Sequence, residues 1–366
     1  MSGRTTPVLL VTGLDEDARA ATMTGLQWDL PRAVVVEHRL DVAEQRLTRL
    51  VSDVTGVVEH GTQDLAHACV SCALREDIVP TLERLASDGR WEVVVGVLPV
   101  AAEAFQVCRV LTLDPAAAPS VRIHGVLAAV PGPGVLEDVL GDDLLEERGL
   151  HPSVDDRRGV GETTASLVEY ADVIVAVDDL DDAGADLLGA LARPRTTLTD
   201  PTRIDTAALV AGVHDHSGTE AWVHAVRRGP LPSVRSDHVW QTELRSDRPL
   251  HPERLLEHIE VLGGGPRRSR GCFWLPTRPS TVGVWEGAGG QLSVGSGVPW
   301  GMKAPLTRIV VTGVESESRR DRKKLVDTFH RCLLTDREVA QRGVLWEADE
   351  DGLEPWLGPV RGEEVH

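Results

Sequence analysis

Short apolar runs alternate with segments of helical spacing along the first half of the chain. Each run is rich in valine and leucine and is long enough for one buried strand. The runs are residues 7–12, 33–36, 91–98, 123–130 and 173–177, and the helical segments are residues 17–26, 42–51, 74–86, 101–111 and 164–170. Continuous apolar strands that alternate with helices belong to a parallel sheet covered on both faces. The pattern therefore predicts an α/β domain with a mostly parallel sheet and helices on both faces.

The pattern changes after residue 179. Turn-forming residues become frequent, and residues 212–218 (GVHDHSG) indicate a surface loop. Further on, the predicted strands are residues 239–244, 271–276, 282–286, 291–294 and 308–312, and the predicted helices are residues 253–262 and 322–333. This order predicts a small α+β domain with helices on one face of a mixed or antiparallel sheet. We therefore place a first domain at residues 1–225 and a second at residues 240–360.

Charge and composition narrow the classes of function. The formal net charge of −19 over 366 residues argues against broad binding to free nucleic acid. A basic run at residues 319–324 is expected to be the solvated face of a helix, although it could also contact RNA or an acidic partner. Five scattered cysteines fit reduced thiols better than a disulfide frame. No apolar run approaches the roughly 20 residues of a membrane helix, and we expect a cytoplasmic protein without a membrane partner.

The densest candidate chemistry lies in residues 67–77, HACVSCALRED. Cys69 and Cys72 have a spacing that brings both sulfurs to one side of a turn, where they can hold a borderline or soft metal ion. His67 is placed to add an imidazole nitrogen. The same two cysteines could instead form a redox pair or pack as small buried residues, so the spacing leaves these alternatives open.

The remaining cysteines and one histidine pair have simpler predictions. Cys108, Cys272 and Cys332 have apolar neighbours in the sequence and are predicted to lie in the core. His214 and His216 could form a second, exposed metal site, but we favour two solvated loop histidines. No set of residues typical of a catalytic nucleophile and its base is apparent.

Gly13 follows the first strand, at the place where a phosphate-binding loop would begin. Such a loop needs several glycines, a lysine for the β- and γ-phosphates and a serine or threonine for magnesium. Here the glycine is followed by LDEDARAA, in which three consecutive acids lie where a triphosphate would be and Arg19 is the one cation. We therefore do not expect GTP or magnesium to bind.

Several motifs, taken in order, resemble those of the CobW family of P-loop GTPases, which handle zinc, cobalt or other metals. Residues 68–78 (ACVSCALREDI) resemble the family's GCxCC stretch and LRxDL helix start, with Ser71 in place of the middle cysteine. The C-terminal third resembles the family's RPFHPERL, SKGFFWLATRP and RIVFIG…LDACLLT motifs at residues 246–255, 269–279, 307–313 and 323–335. Together these motifs cover nearly all of residues 239–357.

The resemblance implies a first domain like that of P-loop NTPases, followed by a CobW C-terminal domain. It implies metal ligation by Cys69 and Cys72, with His67 completing the set. The family's NKxD segment falls on residues 176–179, where only Asp179 is retained, and residues 97–100 lack the acid that serves magnesium. Gly13, Arg19 and Asp179 are therefore expected to be remnants of a nucleotide site that no longer functions.

Within the family, the chain looks most like an actinobacterial branch that keeps both domains and lacks the GTPase motifs. That branch is associated with zinc limitation and with zinc-independent ribosomal proteins, and some members are linked to recruiting a ribosome hibernation factor. The resemblance implies a non-hydrolysing, zinc-responsive adaptor whose partner is a protein, such as a hibernation factor or a ribosome. Two alternatives stay open: an active GTP-dependent zinc metallochaperone, and a metal-free scaffold in which Cys69 and Cys72 only pack.

Overall fold

The computed structural model describes residues 5–67, 69–315 and 319–360, and the chain divides into two units. The first is Met1–Val135 with Asp143–Val223, and the second is Leu136–Asp142 with His224–His366. The short segment 136–142 thus belongs to the second unit although it is inserted in the sequence of the first. Within the described ranges, no helix is long and apolar enough to cross a membrane.

An eight-stranded sheet organises the first unit. Its strands are β1 Thr6–Thr12, β2 Ala33–Asp41, β3 Arg46–Asp53, β4 Gly56–Asp64, β5 Val93–Val97, β6 Val121–Pro131, β7 Val173–Val177 and β8 Thr197–Thr199. The spatial order is β4-β3-β2-β5-β1-β6-β7-β8. From β2 to β8 all neighbours are parallel, whereas β3 and β4 are added as antiparallel strands.

Helices cover both faces of this sheet. They are α1 Glu16–Asp29, α2 Val70–Ala73, a π-helical turn Leu74–Ile78, α3 Val79–Asp88, α4 Ala104–Leu113, α6 Val160–Tyr170, α7 Asp182–Leu191, α8 Thr206–Ala211 and α9 His216–Val223. Helix α5, Val135–Leu140, belongs to the second unit except for its first residue. Alternate residues of β1 enter opposite cores: Leu10 packs in the cluster that contains Leu82 of α3, and Leu9 in the cluster that contains Leu26 of α1. The prediction of a mostly parallel sheet with helices on both faces is therefore confirmed.

One predicted element is wrong. Residues 42–51 were expected to form a helix, but β3 covers most of them and pairs with β2, with Val36 opposite Val51. Leu47 and Val51 are buried in the core, and their spacing fits one face of a helix or of a strand equally well. Pairing with β2 decides between the two, because it satisfies the backbone and buries both side chains.

The second unit contains a five-stranded antiparallel sheet with helices. The strands are β9 Val239–Ser246, β10 Arg267–Phe273, β11 Gly283–Ala288, β12 Gln291–Ser296 and β13 Thr307–Val314, and the helices are α10 Pro252–Gly263, α11 Arg319–Cys332, α12 Asp336–Arg342 and α13 Glu354–Leu357. The order is β12-β11-β10-β13-β9. Leu255 of α10 and Phe329 of α11 share a core with Trp285 of the sheet. This is the small α+β layer that the sequence predicts.

Candidate functional site

An acidic residue of the loop between β1 and α1 caps the N-terminus of α1. Asp15 is the N-cap of α1, and its carboxylate accepts a hydrogen bond of 2.7 Å from the Ala18 amide. A helix N-terminus binds phosphate through such free amides and through its positive dipole end. In this chain the carboxylate of Asp15 already occupies that position, while Glu16 and Asp17 add acidic side chains to the first turn.

Arg19 points into the protein. Its side chain is 2% exposed, and Nη1 donates a hydrogen bond of 2.7 Å to the carbonyl oxygen of Leu98, just after β5. Burial lowers the pKa of its guanidinium below the ordinary value. A Cβ atom at Gly13 would lie 2.6 Å from the Ala129 carbonyl oxygen and 3.0 Å from Cγ of Arg19. Gly13 therefore permits close packing of the backbone, and the guanidinium of Arg19 makes its hydrogen bond inside the protein.

Asp179 lies beyond the end of β7 with an exposed side chain. The preceding Asp178 has a φ of 63°, and the carbonyl oxygens of both aspartates approach Gly132, where a Cβ would lie 2.8 and 2.7 Å from them. This tight turn needs a glycine at position 132. The structure therefore brings Gly13 and Arg19 together, and it uses the backbone of Asp179 for packing against a different loop.

The cysteine pair opens a helix. Cys69 is the N-cap of α2, and its Sγ atom accepts from the Cys72 amide at 3.4 Å. The pair was expected in the loop before a helix beginning at residue 74; instead the helix begins at Val70 and Cys72 lies in its first turn. Both cysteines are half-buried, and the hydrogen bond from Cys69 raises the pKa of the Cys72 thiol.

His67 lies beside this pair with an exposed side chain. Its carbonyl oxygen accepts from the Cys69 amide at 2.9 Å, and the intervening Ala68 lies outside the described residues. The three residues do not form one of the compact ligand groups found in the described part of the chain. Ligation of a metal by Cys69, Cys72 and His67 stays a prediction.

Asp77 anchors the helix that carries the cysteines. Its carboxylate lies 3.0 Å from Nε2 of His38 on β2, accepts from Thr81 at 3.2 Å, and pairs with Arg49 on β3. Burial would raise the pKa of Asp77, but the contacts with His38 and Arg49 outweigh it and hold that pKa below its ordinary value. The π-helical turn that contains Asp77 is thus tied to two strands. These contacts fix the position of the adjacent turn that contains Cys69 and Cys72 relative to the sheet.

A second group of metal-binding side chains lies between helices of the first unit. Cys108 of α4, His214 in the loop before α9 and His216 at the start of α9 each offer a ligand atom, and these atoms lie within 4.8 Å of one another. Sγ of Cys108 lies 3.6 Å from Nε2 of His214. In the described ranges, this is the one such group of three cysteine, histidine or acidic residues.

This group confirms one prediction and corrects another. Cys108 lies in the core, as predicted, and the imidazole of His214 is one of its neighbours there. The side chain of His214 is 3% exposed and that of His216 is half-buried, so they are not solvated loop histidines. The physical reason is tertiary: α6 packs against both α4 and α9, which encloses the loop.

Polar residues form hydrogen bonds with Nδ1 of both His214 and His216. Nδ1 of His214 lies 2.9 Å from Oδ2 of Asp172, and the same oxygen accepts from the Val126 amide at 2.8 Å. The other oxygen of Asp172 pairs with Arg193. The Tyr170 hydroxyl lies 2.9 Å from Nδ1 of His216. Each imidazole is therefore oriented by a hydrogen bond to one of its ring nitrogens.

Electrostatics in the group favour a thiolate beside imidazolium. Burial would raise the pKa of Cys108, but hydrogen bonds with His214 and His216 outweigh it and lower that pKa to about 7. Burial would likewise lower the pKa of His214, but its bonds with Asp172 and Cys108 raise that pKa to about 9. The hydrogen bond to Cys108 also raises the pKa of His216. The group can therefore supply the ionised sulfur that metal ligation requires.

Sequence reasoning could find only part of this group. The His-x-His spacing of residues 214 and 216 is visible in the sequence, and it raised the question of a metal. Nothing near Cys108 in the sequence marks it as their partner, since the three residues meet only through the packing of α4, α6 and α9.

Comparison with known proteins places this geometry in context. Residues 239–333 match the family model described as Cobalamin synthesis protein cobW C-terminal domain. The chain is 31% identical to a protein named Zinc chaperone Rv0106 from Mycobacterium tuberculosis (strain ATCC 25618 / H37Rv), with 96% of this chain and 93% of that protein covered. It is 19% identical to Zinc-regulated GTPase metalloprotein activator 1 from Dictyostelium discoideum, with 99% and 82% covered.

Among solved structures, the Zn(II)-bound YjiA GTPase from E. coli aligns over 91% of this chain and 100% of that chain at 15% identity. Its TM-score of 0.36 is too low to carry an argument about the site. The evidence for kinship is instead the relative that is 31% identical over nearly the whole length, together with the C-terminal domain match. On that evidence, the chain belongs to the CobW family.

Proposed function

We propose that this CobW protein binds zinc and acts in zinc homeostasis or the response to zinc limitation, as a zinc-responsive adaptor that does not hydrolyse GTP. The names of its relatives, a zinc chaperone and a zinc-regulated activator, support the zinc part of the proposal. The carboxylate of Asp15 on the N-terminus of α1 is the single observation that carries the non-hydrolysing part.

The physical argument concerns the charge at that helix end. A triphosphate would need the amides of the first turn, but Asp15 already accepts from the Ala18 amide. Two unit charges of the same sign 4 Å apart repel by about 4 kcal/mol at the effective dielectric constant of a protein surface. Arg19 does not offset this repulsion, because its guanidinium is directed to the Leu98 carbonyl inside the protein.

For zinc, Cys69 and Cys72 are the proposed family-type ligands. Their turn presents two thiols at a helix start, and Asp77 fixes that helix to the sheet. Two thiolates and one imidazole suit zinc better than a hard cation such as magnesium. His67 is the proposed third ligand, since it precedes the pair by two residues and is exposed.

The partner is proposed to be a protein with a basic surface, such as a hibernation factor or a ribosomal surface. The net charge of −19 favours association with a basic partner and disfavours a grip on bare RNA. In this account zinc occupancy, and not nucleotide hydrolysis, is the signal that the adaptor passes on.

A calorimetric titration of the full chain with GTP and magnesium, in the presence of zinc, tests the proposal. We expect no saturable heat up to millimolar nucleotide and no phosphate release. Micromolar, magnesium-dependent binding with turnover that Arg19→Ala abolishes would overturn it and favour an active GTP-dependent metallochaperone. Asp15→Ser is the informative companion variant, because serine keeps a helix cap while removing the carboxylate.

A further inference from the structure

We infer that Cys108, His214 and His216 form a second site for zinc or a similar borderline metal ion, buried in the first unit and built from residues separate from the Cys69–Cys72 pair. The inference stands whether or not the chain hydrolyses GTP. It is carried by the convergence of three ligand atoms, by their spacing and by the residues that orient them.

The spacing matches a metal-bridged pair. Zinc bonds sulfur at about 2.3 Å and imidazole nitrogen at about 2.0–2.1 Å, so tetrahedral ligation separates the two atoms by about 3.6 Å. Sγ of Cys108 and Nε2 of His214 are 3.6 Å apart. A hydrogen bond between thiol and imidazole would explain this one distance. His216, which also hydrogen-bonds to Cys108, places a third ligand atom within 4.8 Å of the other two, and this convergence of three ligand atoms is what a shared metal ion requires.

The hydrogen bond between Nδ1 of His214 and Asp172 directs Nε2 of the same ring toward Cys108. When a metal ion binds, His214 releases the proton on Nε2 and keeps the proton on Nδ1, which donates to Asp172, so that the Nε2 lone pair faces Cys108 and the ion. A histidine ligand held by a carboxylate on its other nitrogen is a recurring arrangement around zinc. Asp172 is itself fixed by the Val126 amide and by Arg193. The Tyr170 hydroxyl can accept from Nδ1 of His216 in the same manner.

Charge and ligand type favour zinc over hard cations. The Cys108 thiolate offsets one of the two positive charges of the ion, and the Asp172 carboxylate, which is already paired with Arg193, contributes by accepting from the imidazole of His214. One sulfur and two nitrogens are soft to borderline donors, whereas magnesium and calcium require oxygen ligands. Three protein ligands leave a fourth position for water or an exchanging ligand, as in zinc sites that are not purely structural.

A catalytic role for the same residues is less consistent with the structure. Cys108, His214 and Asp172 have the order of a nucleophile, a base and an orienting acid. Cys108, however, is only 3% exposed. A cavity beside Asp172 is lined by Arg193, Asp205 and Trp222, and neither Cys108 nor His214 contributes to its described wall. A metal ion needs no substrate cavity, and it uses His216, which a triad would not.

Cobalt(II) absorption of the full chain tests the inference, since thiolate ligation gives a charge-transfer band and tetrahedral geometry gives strong visible bands. The Cys69→Ser, Cys72→Ser double variant removes the other candidate site. On this background we expect one cobalt ion per chain with a thiolate band that zinc displaces. Adding Cys108→Ser should abolish the thiolate band, and adding His214→Gln should weaken cobalt binding at least about tenfold.

Matched variants separate ligation from folding. Cys272→Ser changes another buried cysteine, whose pKa burial raises to about 11, and it should leave the spectrum unchanged. Asp172→Asn should raise the cobalt dissociation constant about 10- to 100-fold, whereas Asp215→Asn, on the exposed residue between the histidines, should not. Circular dichroism checks that each variant is folded. Absence of a thiolate band in the folded double variant, or its persistence after Cys108→Ser, overturns the inference.

Discussion

At the scale of single residues, Arg278 shows how a buried charge supports the second unit. Its guanidinium is almost fully buried and donates to both oxygens of Asp351, at 2.8 and 2.9 Å. It also donates to the carbonyl oxygens of Leu357 and Gly358. Arg278 belongs to the TRP sequence that resembles a family motif, and its contacts give that arginine a structural role: it holds the C-terminal segment against the sheet.

Replacing Asp351 by asparagine should destabilise the second unit by about 3–5 kcal/mol, because it removes the buried counter-charge of a buried guanidinium and leaves only the partly exposed Glu354, 3.7 Å away. Urea unfolding followed by tryptophan fluorescence measures this, since Trp274, Trp285 and Trp300 are buried in that unit. Asp327→Asn is the control: its ion pair with Lys323 is exposed, and the change should cost less than about 1 kcal/mol. Equal effects of the two variants would contradict this role of Arg278.

The same pair makes a prediction for acid. Burial would raise the pKa of Asp351, but the bonds from Arg278 and Thr277 outweigh it and hold that pKa below its ordinary value. A carboxyl whose folded pKa is depressed adds stability above its unfolded pKa of about 3.9, and that stability is lost as the pH falls through the folded pKa. When the pH is lowered below about 4, the urea concentration at the unfolding midpoint of the wild type should therefore decrease. The difference in this midpoint between the wild type and Asp351→Asn should become smaller over the same range.

Single residues also show where prediction from sequence stops. The spacing of Cys69 and Cys72 marks them as candidates without any structure, because their chemistry depends on one local turn. Cys108 carries no such mark, since its neighbours His214 and His216 reach it only through tertiary packing. Arg19 was recognised as the one cation of the degenerate loop, but only the structure places its charge against the Leu98 carbonyl.

At the scale of elements, the N-cap of α1 is Asp15, whose carboxylate we propose also repels phosphate. Asp15→Ala should destabilise the first unit by about 1 kcal/mol, because the Ala18 amide loses its acceptor. Asp15→Ser should stay within about 0.5 kcal/mol of the wild type, since serine is an equally good cap. Urea denaturation compares the two, with exposed Asp17→Ala as the control. If Asp15→Ala had the same free energy of unfolding as the wild type, the Asp15 side chain would not stabilise α1 as an N-cap.

Most elements of both units were predictable, because apolar runs and helical spacing are local signals. The helix predicted at residues 42–51 is wrong, because the apolar spacing there fits a helix and a strand equally well. The pairing of β3 with β2 determines that the segment is a strand. The sequence does not reveal the helix start at Val70, because cysteine is not among the residues that typically cap a helix, yet Cys69 is the N-cap here. The π-helical turn Leu74–Ile78 has no sequence signal of its own, and such turns are frequent at functional sites.

At the scale of the whole molecule, both candidate metal sites belong to the unit whose nucleotide loop is degenerate. The family-type ligands lie at the start of α2, and the second group lies between α4 and α9. After β1, Asp15 meanwhile accepts from the first-turn amide of Ala18, and the guanidinium of Arg19 is directed to the Leu98 carbonyl oxygen. We therefore propose that this CobW protein has kept metal binding and lost nucleotide chemistry.

Native mass spectrometry of the full chain, titrated with zinc in the presence of GTP and magnesium, tests this claim most directly. The account predicts two zinc ions per chain and no nucleotide adduct. The Cys69→Ser, Cys72→Ser variant and the Cys108→Ser variant should each retain one zinc ion. A stable nucleotide-bound species, or a zinc stoichiometry that neither variant changes, would contradict the account.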